Sequence, residues 1–275
     1  MTDTLQVAAI QMVSGADWQA NVARARQRVC EAAALGSRLV VLPENFATFM
    51  AADLPAVSAA EATAAGPIRQ MLATLAAEAG VFLVAGTLPV AAGDGSGKSF
   101  AASFVYGPDG TELARYDKIH LFDADVDDAE QRYRESDRYC HGDKVVTVAA
   151  GLATIGLSVC YDLRFPELFR QQRRQGANVL VVPSAFTYAT GQKHWQVLLQ
   201  ARAIENQCFV IAANQGGWHD ARRRTWGHSM IIGPDGELLA GCGEGEAVVS
   251  ARLDFAMLGR LRSAMPLESH RRLAE

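Results

Sequence analysis

The chain has 275 residues, 49% of them hydrophobic and 20% charged, with a net charge of −4 and a pI of about 5.9. That much apolar surface excludes a disordered chain, and the acidic balance argues against a nucleic-acid binder, which needs a basic face. No apolar run approaches the ~18 residues of a bilayer span, and no basic stretch precedes an apolar one at the start, so neither a membrane segment nor a secretory leader is expected.

In chain order, residues 5–10 predict a strand and Trp18–Ala34 a helix stopped near Gly36. Residues 38–42 form a short apolar run closed by Pro43, which suits a buried strand. A helix over 68–79, ended by Gly80, precedes strands at 81–87, 100–106 and 112–116. The turn Gly107-Pro108-Asp109-Gly110 separates the last two. Strands at 145–148 and 153–159 follow. Pro166 opens a helix closed by Gly176. Then come a strand at 178–182, a helix at 193–206 and a strand at 208–212. A hairpin of 228–232 and 237–240 turns on Gly233-Pro234-Asp235-Gly236. A strand at 247–253 leads into a C-terminal helix.

The halves repeat. Gly36, Pro43 and Phe46 keep the spacing of Gly176, Pro183 and Phe186, and both halves carry a Gly-Pro-Asp-Gly turn. Two copies of a β-α-β-α-β-β unit, each with helices for one face of its sheet, must bury the other face. The simplest solution is an α/β four-layer α-β-β-α sandwich. No Ser/Gly-rich linker divides them, so one domain over 1–275 is expected.

The run Ala92-Gly93-Asp94-Gly95-Ser96-Gly97-Lys98-Ser99, with alanine in the first position, loosely matches a phosphate-binding loop. The residues after it alternate like a strand rather than open a helix, so a hairpin loop with a solvated Lys98 is expected. Five cysteines, Cys30, Cys140, Cys160, Cys208 and Cys242, form no C-x-x-C pair. A disulfide or zinc framework is therefore not expected, and a reducing cytoplasm fits.

Three reactive side chains stand just past predicted strand ends: Glu44, Lys118 and Cys160. Ligands in α/β sheets collect at such ends. Singly, each has a plain reading: a loop carboxylate, a surface charge, an inert buried thiol. Together they supply a base, an electrostatic stabiliser and a nucleophile. The helix opening at Pro166 is expected to favour a Cys160 thiolate. The competing arrangement pairs Cys160 with a histidine, and His120, His194 and His228 lie in nearby segments.

The blocks Leu42-Pro43-Glu44, Asp117-Lys118-Ile119-His120-Leu121-Phe122 and Cys160-Tyr161-Asp162-Leu163-Arg164-Phe165-Pro166-Glu167, in that order, resemble the nitrilase superfamily of carbon–nitrogen hydrolases over nearly the whole chain. The resemblance implies the same sandwich that the repeat predicts. It implies Glu44 as general base, Lys118 as oxyanion stabiliser and Cys160 as nucleophile. It places a second glutamate on Glu135, and it sets His120 and His194 to holding loops. Such chemistry calls for no metal or organic cofactor, and family members self-associate, so a homodimer or higher homo-oligomer is expected.

Residues 185–191, 194–208 and 226–230 resemble the Nit branch, and 212–219 followed by Arg222-Arg223-Arg224 resemble its deaminated glutathione amidases. That likeness implies a small-molecule amide carrying two carboxylates, cleaved to 2-oxoglutarate and cysteinylglycine. An ω-amidase acting on 2-oxoglutaramate is the alternative, and a non-enzymatic relative that binds partners is the reading from another class. Phe122, Tyr161, Phe186 and Thr187 are placed by resemblance along the substrate. Arg164 and the Arg222–Arg224 cluster are candidate carboxylate holders, because a guanidinium grips a carboxylate with two parallel bonds. The plain reading of Arg164 is an ion pair with Glu167 or Asp162. The polar 268–275 tail is expected either to cross to a neighbouring subunit or to fray.

Overall fold

The computed structural model describes residues 3–273. The first two residues of the supposed leaderless start and the last two of the polar tail lie outside the described residues. Two large sheets carry the fold. The first runs Ala247–Asp254, Thr4–Gln11, Leu39–Val41, Phe82–Val84, Ser99–Tyr106, Leu88–Ala91, with Glu112–Asp117 and Tyr139–Cys140 also paired to Ser99–Tyr106. The second runs Thr147–Ala150, Ala153–Leu157, Val179–Val181, Phe209–Ala212, Met230–Ile232, Leu238–Gly241.

Each sheet has three adjacent parallel strands. Thr4–Gln11, Leu39–Val41 and Phe82–Val84 correspond to Ala153–Leu157, Val179–Val181 and Phe209–Ala212. Antiparallel strands flank each trio. The final strand, Ala247–Asp254, lies against Thr4–Gln11. It fills in the first sheet the place that Thr147–Ala150 fills in the second. Thus the last strand completes the first repeat.

Side-chain alternation along the strands builds the layers. Val7, Ala9, Leu39, Val41 and Val84 turn inward and share a buried cluster with Ile155, Leu157, Val179 and Val181. Ala8, Ile10, Val40 and Leu83 turn outward onto Val29 of the Trp18–Ala34 helix and Leu72 and Leu75 of the Pro67–Ala79 helix. On the other side, Phe169 of the Pro166–Arg174 helix and Trp195 and Leu199 of the Tyr188–Asn206 helix cover the second sheet. The result is the α-β-β-α order, each large apolar side chain contributing roughly 1.5–3 kcal/mol on burial.

Helix ends follow local chemistry. The Asp17 carboxylate caps the amides of Gln19 and Ala20, and Gly80 ends its helix at φ +63°. The Tyr188–Asn206 helix starts five residues before the predicted 193. Its first turns lack apolar periodicity because Gly191 lies so close to the Trp226 side chain that a Cβ would collide. The predicted strand 81–87 stops at Val84. Gly86 bends the chain at φ +54°, and Leu88–Ala91 is a separate strand. The Leu54–Ala60 helix, capped by Asp53, is short and has a single buried residue, so it leaves almost no pattern. Among the described residues no helix is long and apolar enough to cross a membrane.

The glycine-rich loop joins Leu88–Ala91 to Ser99–Tyr106 as a hairpin, not a phosphate cradle. Lys98 is not simply solvated. Its Nζ donates to the carbonyl of Ser136 at 2.7 Å, next to Glu135.

Candidate active site

Three loops at strand ends converge. Leu39–Val41 runs through Pro43 to Glu44, where Asn45 takes a positive φ of 52° and its amide donates to Thr87 Oγ1. The tight approach of Gly86 supports this loop from below, because any side chain there would strike the Pro43 carbonyl oxygen. Lys118 directly follows the Glu112–Asp117 strand, and Cys160 stands three residues past Ala153–Leu157. Cys160 adopts φ +49°, a conformation costly for a non-glycine residue, and its amide is held by the Pro183 carbonyl at 2.9 Å. Such a kink turns the side chain out of the sheet toward the cleft.

Lys118 Nζ lies 2.8 Å from Glu44 Oε1 and 2.8 and 2.9 Å from the two oxygens of Glu135. Glu44 Oε2 accepts the Ala185 amide at 2.8 Å, and Glu135 Oε2 accepts the Phe122 amide. The Cys160 side chain lines the same cleft as Glu44 and Lys118, close enough for the Glu44 charge to act on the thiol. Lys118 and Glu44 are almost wholly buried, and Cys160 is 9% exposed.

The electrostatics follow. Burial alone would pull the Lys118 ammonium down, but the carboxylates of Glu135 and Glu44 outweigh it and hold its pKa well above the lysine range. Burial and the neighbouring Glu44 charge raise the Glu135 carboxyl against the pull of Lys118. Burial, then Glu44, pushes the Cys160 thiol well above its ordinary value. The expectation of a thiolate favoured by the helix end is therefore corrected. The helix begins six residues later at Pro166, and burial together with the Glu44 charge favours the neutral thiol. The resting site holds a thiol beside a base.

Asp162, fully buried, fastens two of the loops. Its Oδ2 accepts the Val159 amide and the Tyr116 hydroxyl, both at 2.8 Å. Its Oδ1 accepts the His120 amide at 3.0 Å and lies 2.7 Å from His120 Nδ1. Residues two before and two after Lys118 are thus tied to the Cys160 turn. His120 also stacks on Phe165 at 3.7 Å, so it holds a loop rather than facing the thiol.

A cleft of about 590 Å³ opens over Glu44, Lys118, Glu135 and Cys160. Phe122 also lines it. The other four predicted contacts sit elsewhere around the thiol: Tyr161, Arg164, Phe186 and Thr187 line a recess of only about 20 Å³ beside Cys160. Arg164 makes no pair with Glu167 or Asp162. It lies 3.3 Å from His194 Nδ1 and over the rings of Tyr161 and Phe186. Of the arginine cluster, only Arg223 lines the cleft. Arg224 pairs with Glu244 at 2.7 Å, and Arg222 reaches the Ala129 carbonyl. Arg132, Arg138 and Tyr139 also line the cleft. They were not singled out from sequence, although their place on either side of Glu135 was an available signal.

The carbon–nitrogen hydrolase family profile matches residues 6–263. A deaminated glutathione amidase of Synechocystis sp. is 44% identical over 96% of this chain and 97% of its own length. An omega-amidase of Homo sapiens is 35% identical over 98% of this chain and 95% of its own. The crystal structure of Saccharomyces cerevisiae Nit3, a member of branch 10 of the nitrilase superfamily, superposes with a TM-score of 0.87 at 31% identity, covering 98% of this chain and 97% of that one. With its sandwich and these relatives, the chain belongs to the carbon–nitrogen hydrolase family of the nitrilase superfamily.

Proposed function

We propose that the chain, as one domain over 1–275, hydrolyses a small amide through a cysteine thioester, and that deaminated glutathione is the substrate. The observation that carries the reaction is that Cys160, Glu44 and Lys118, all buried, line one cleft, with Lys118 bonded to Glu44 at 2.8 Å. Glu44 takes the thiol proton as sulfur attacks the amide carbonyl, forming the C–S bond. The oxyanion is met by Lys118 and by the Tyr161 amide. The Cys160 amide is bound to Pro183 and the Asp162 amide to Val159, while the Tyr161 amide donates to no acceptor among the described residues. Glu44 returns the proton to the nitrogen as the C–N bond breaks and the amine leaves. Water, deprotonated by Glu44, attacks the thioester and releases the acid and the thiol. Glu135 holds Lys118 between two carboxylates, which keeps the ammonium charged without a dry, unpaired burial.

The substrate assignment draws support from the Synechocystis relative and from Arg132, Arg138 and Arg223. These line the cleft and carry no carboxylate partner among the described residues, so they suit an anionic substrate. The human relative favours 2-oxoglutaramate as a second reading. Purified protein is mixed with each compound and 2-oxoglutarate release is followed. Product from neither ends both readings, and product from 2-oxoglutaramate alone ends the first.

A protonated resting thiol gives a distinct alkylation profile. The rate with iodoacetamide is expected to climb with pH beyond the ordinary thiol range, with no plateau in mild acid. A plateau near pH 5 would instead indicate a thiolate–imidazolium pair.

We also infer a homodimer working in the cytoplasm. Val197 and Ile204, 60% and 50% exposed, offer apolar surface along Tyr188–Asn206, and a reactive thiol needs a reducing compartment. Light scattering checks the first, and a monomer would contradict it.

A further inference from the structure

The cleft has a second lobe. A cavity of about 360 Å³ adjoins it and shares Asn45, Phe49, Glu130, Arg138, Tyr139 and Arg223 as a common wall. Beyond that wall it is lined by Thr48, Met50, Ala51 and Leu54, the residues that follow Glu44 along the chain. Glu44 delivers the proton to the departing nitrogen in the proposed reaction. The amine therefore leaves on the Glu44 side, toward this lobe. The recess formed by Tyr161, Arg164, Phe186 and Thr187 does not touch it.

Arg223 is built into this wall. The turn that carries it is pinned, because the His219 amide donates to the Arg223 carbonyl at 2.9 Å and Asp220 Oδ1 accepts the amides of Arg222 and Arg223. His219 is tied to the Ser14 carbonyl and to Thr225, and burial pushes its pKa down to about 4, so it stays neutral beside the arginine. The Arg223 guanidinium lies over Tyr133 at 4.7 Å and Phe49 at 5.2 Å. It has aromatic rings for company and no carboxylate partner among the described residues. Glu130, the acid in both lobes, pairs with Arg222 at 3.7 Å. A cation fixed by stacking and left without an anion is preorganised for one.

We propose that this second lobe is the leaving-group subsite, that it takes an amine bearing its own carboxylate, such as a dipeptide, and that Arg223 is the specificity-determining residue, with Arg138 assisting. This rests on the amidase reading above and deepens it. Ammonia, the size of a water molecule at ~30 Å³, has no need of such a lobe.

Two measurements test it. In the first, wild-type protein, Arg223→Gln and the exposed control Arg26→Gln, whose side chain pairs with Glu78 away from both lobes, are compared on deaminated glutathione and on 2-oxoglutaramate. Arg223→Gln should lower kcat/KM for the dipeptide-releasing amide about 10- to 100-fold more than for the primary amide, with the loss carried in KM. Arg26→Gln should leave both unchanged. Equal losses on both compounds, or no loss, overturn the proposal while the amidase reading stands. In the second, cysteinylglycine and its C-terminal amide are titrated into the three proteins. Binding of the free acid that is at least tenfold tighter than the amide, and is lost in Arg223→Gln, supports the subsite even if neither amide turns over. Equal binding of acid and amide overturns it.

Discussion

Replacing Cys160 by serine is expected to lower turnover below about 10⁻⁴ of the wild-type rate, while the thermal midpoint moves by no more than roughly 4 °C. The two numbers separate chemistry from folding. The side chain is held at φ +49° by the Pro183 carbonyl and by the Asp162 bonds to the same turn. None of those bonds involves sulfur, so the turn survives the exchange. What is lost is a nucleophile that Glu44 can deprotonate. A hydroxyl is far less acidic than even a thiol whose pKa is raised by burial, and no second base lies against it. Activity is measured by product release and fold by circular dichroism. Wild-type activity in the serine variant would end the mechanism. Rapid acid quench of the wild-type protein with substrate, followed by intact-mass spectrometry, should place the acyl adduct on Cys160 alone.

Lys118→Met should be the most damaging change to stability and activity together. The ammonium is buried between Glu44 and Glu135 at 2.8 Å from each. Its removal leaves two carboxylates facing each other without a counter-charge. Breaking a buried pair in this way costs on the order of 3–5 kcal/mol, and loss of one oxyanion donor lowers kcat by roughly 10²–10³. The sign of the pH effect is fixed. Burial and Glu44 already raise the Glu135 pKa in the folded chain, and loss of Lys118 removes the main opposing influence. A carboxyl whose folded pKa exceeds its unfolded value binds extra protons in the folded state, so stability falls as pH rises between the two values. The variant should be more stable at pH 5 than at pH 8 by urea unfolding. Adding Glu135→Gln should restore part of the stability and none of the rate. A variant equally stable at both pH values would show that the carboxylates are not charged against each other.

Much of this was legible in the residues. Short apolar runs closed by Pro43 and Pro183, helices opened by Pro166 and closed by Gly80 and Gly176, and the repeated Gly-Pro-Asp-Gly turns mark elements by local backbone preference. The repeat of Gly36, Pro43 and Phe46 in Gly176, Pro183 and Phe186 predicts two like sheets, and the order of the Glu44, Lys118 and Cys160 blocks names the family. Local signals of this kind depend on neighbours a few residues away, which is why they survive without coordinates.

Other features depend on contacts across the fold. That Ala247–Asp254 completes the first sheet beside Thr4–Gln11 is a pairing over more than two hundred residues, and no periodicity encodes it. The protonation of Cys160 turned on its burial and on the Glu44 charge that the fold brings beside it. Lys98 reads as a free charge until the Ser136 carbonyl is brought to it. Arg222, Arg223 and Arg224 are chemically equal in the chain, and only the turn held by Asp220 and His219 directs the middle one into the cleft. Sequence by itself determined most of the strands, the four layers and the three reactive groups. Tertiary structure alone decided their charges and which arginine meets the substrate, because desolvation and direction are properties of surroundings and not of residue type.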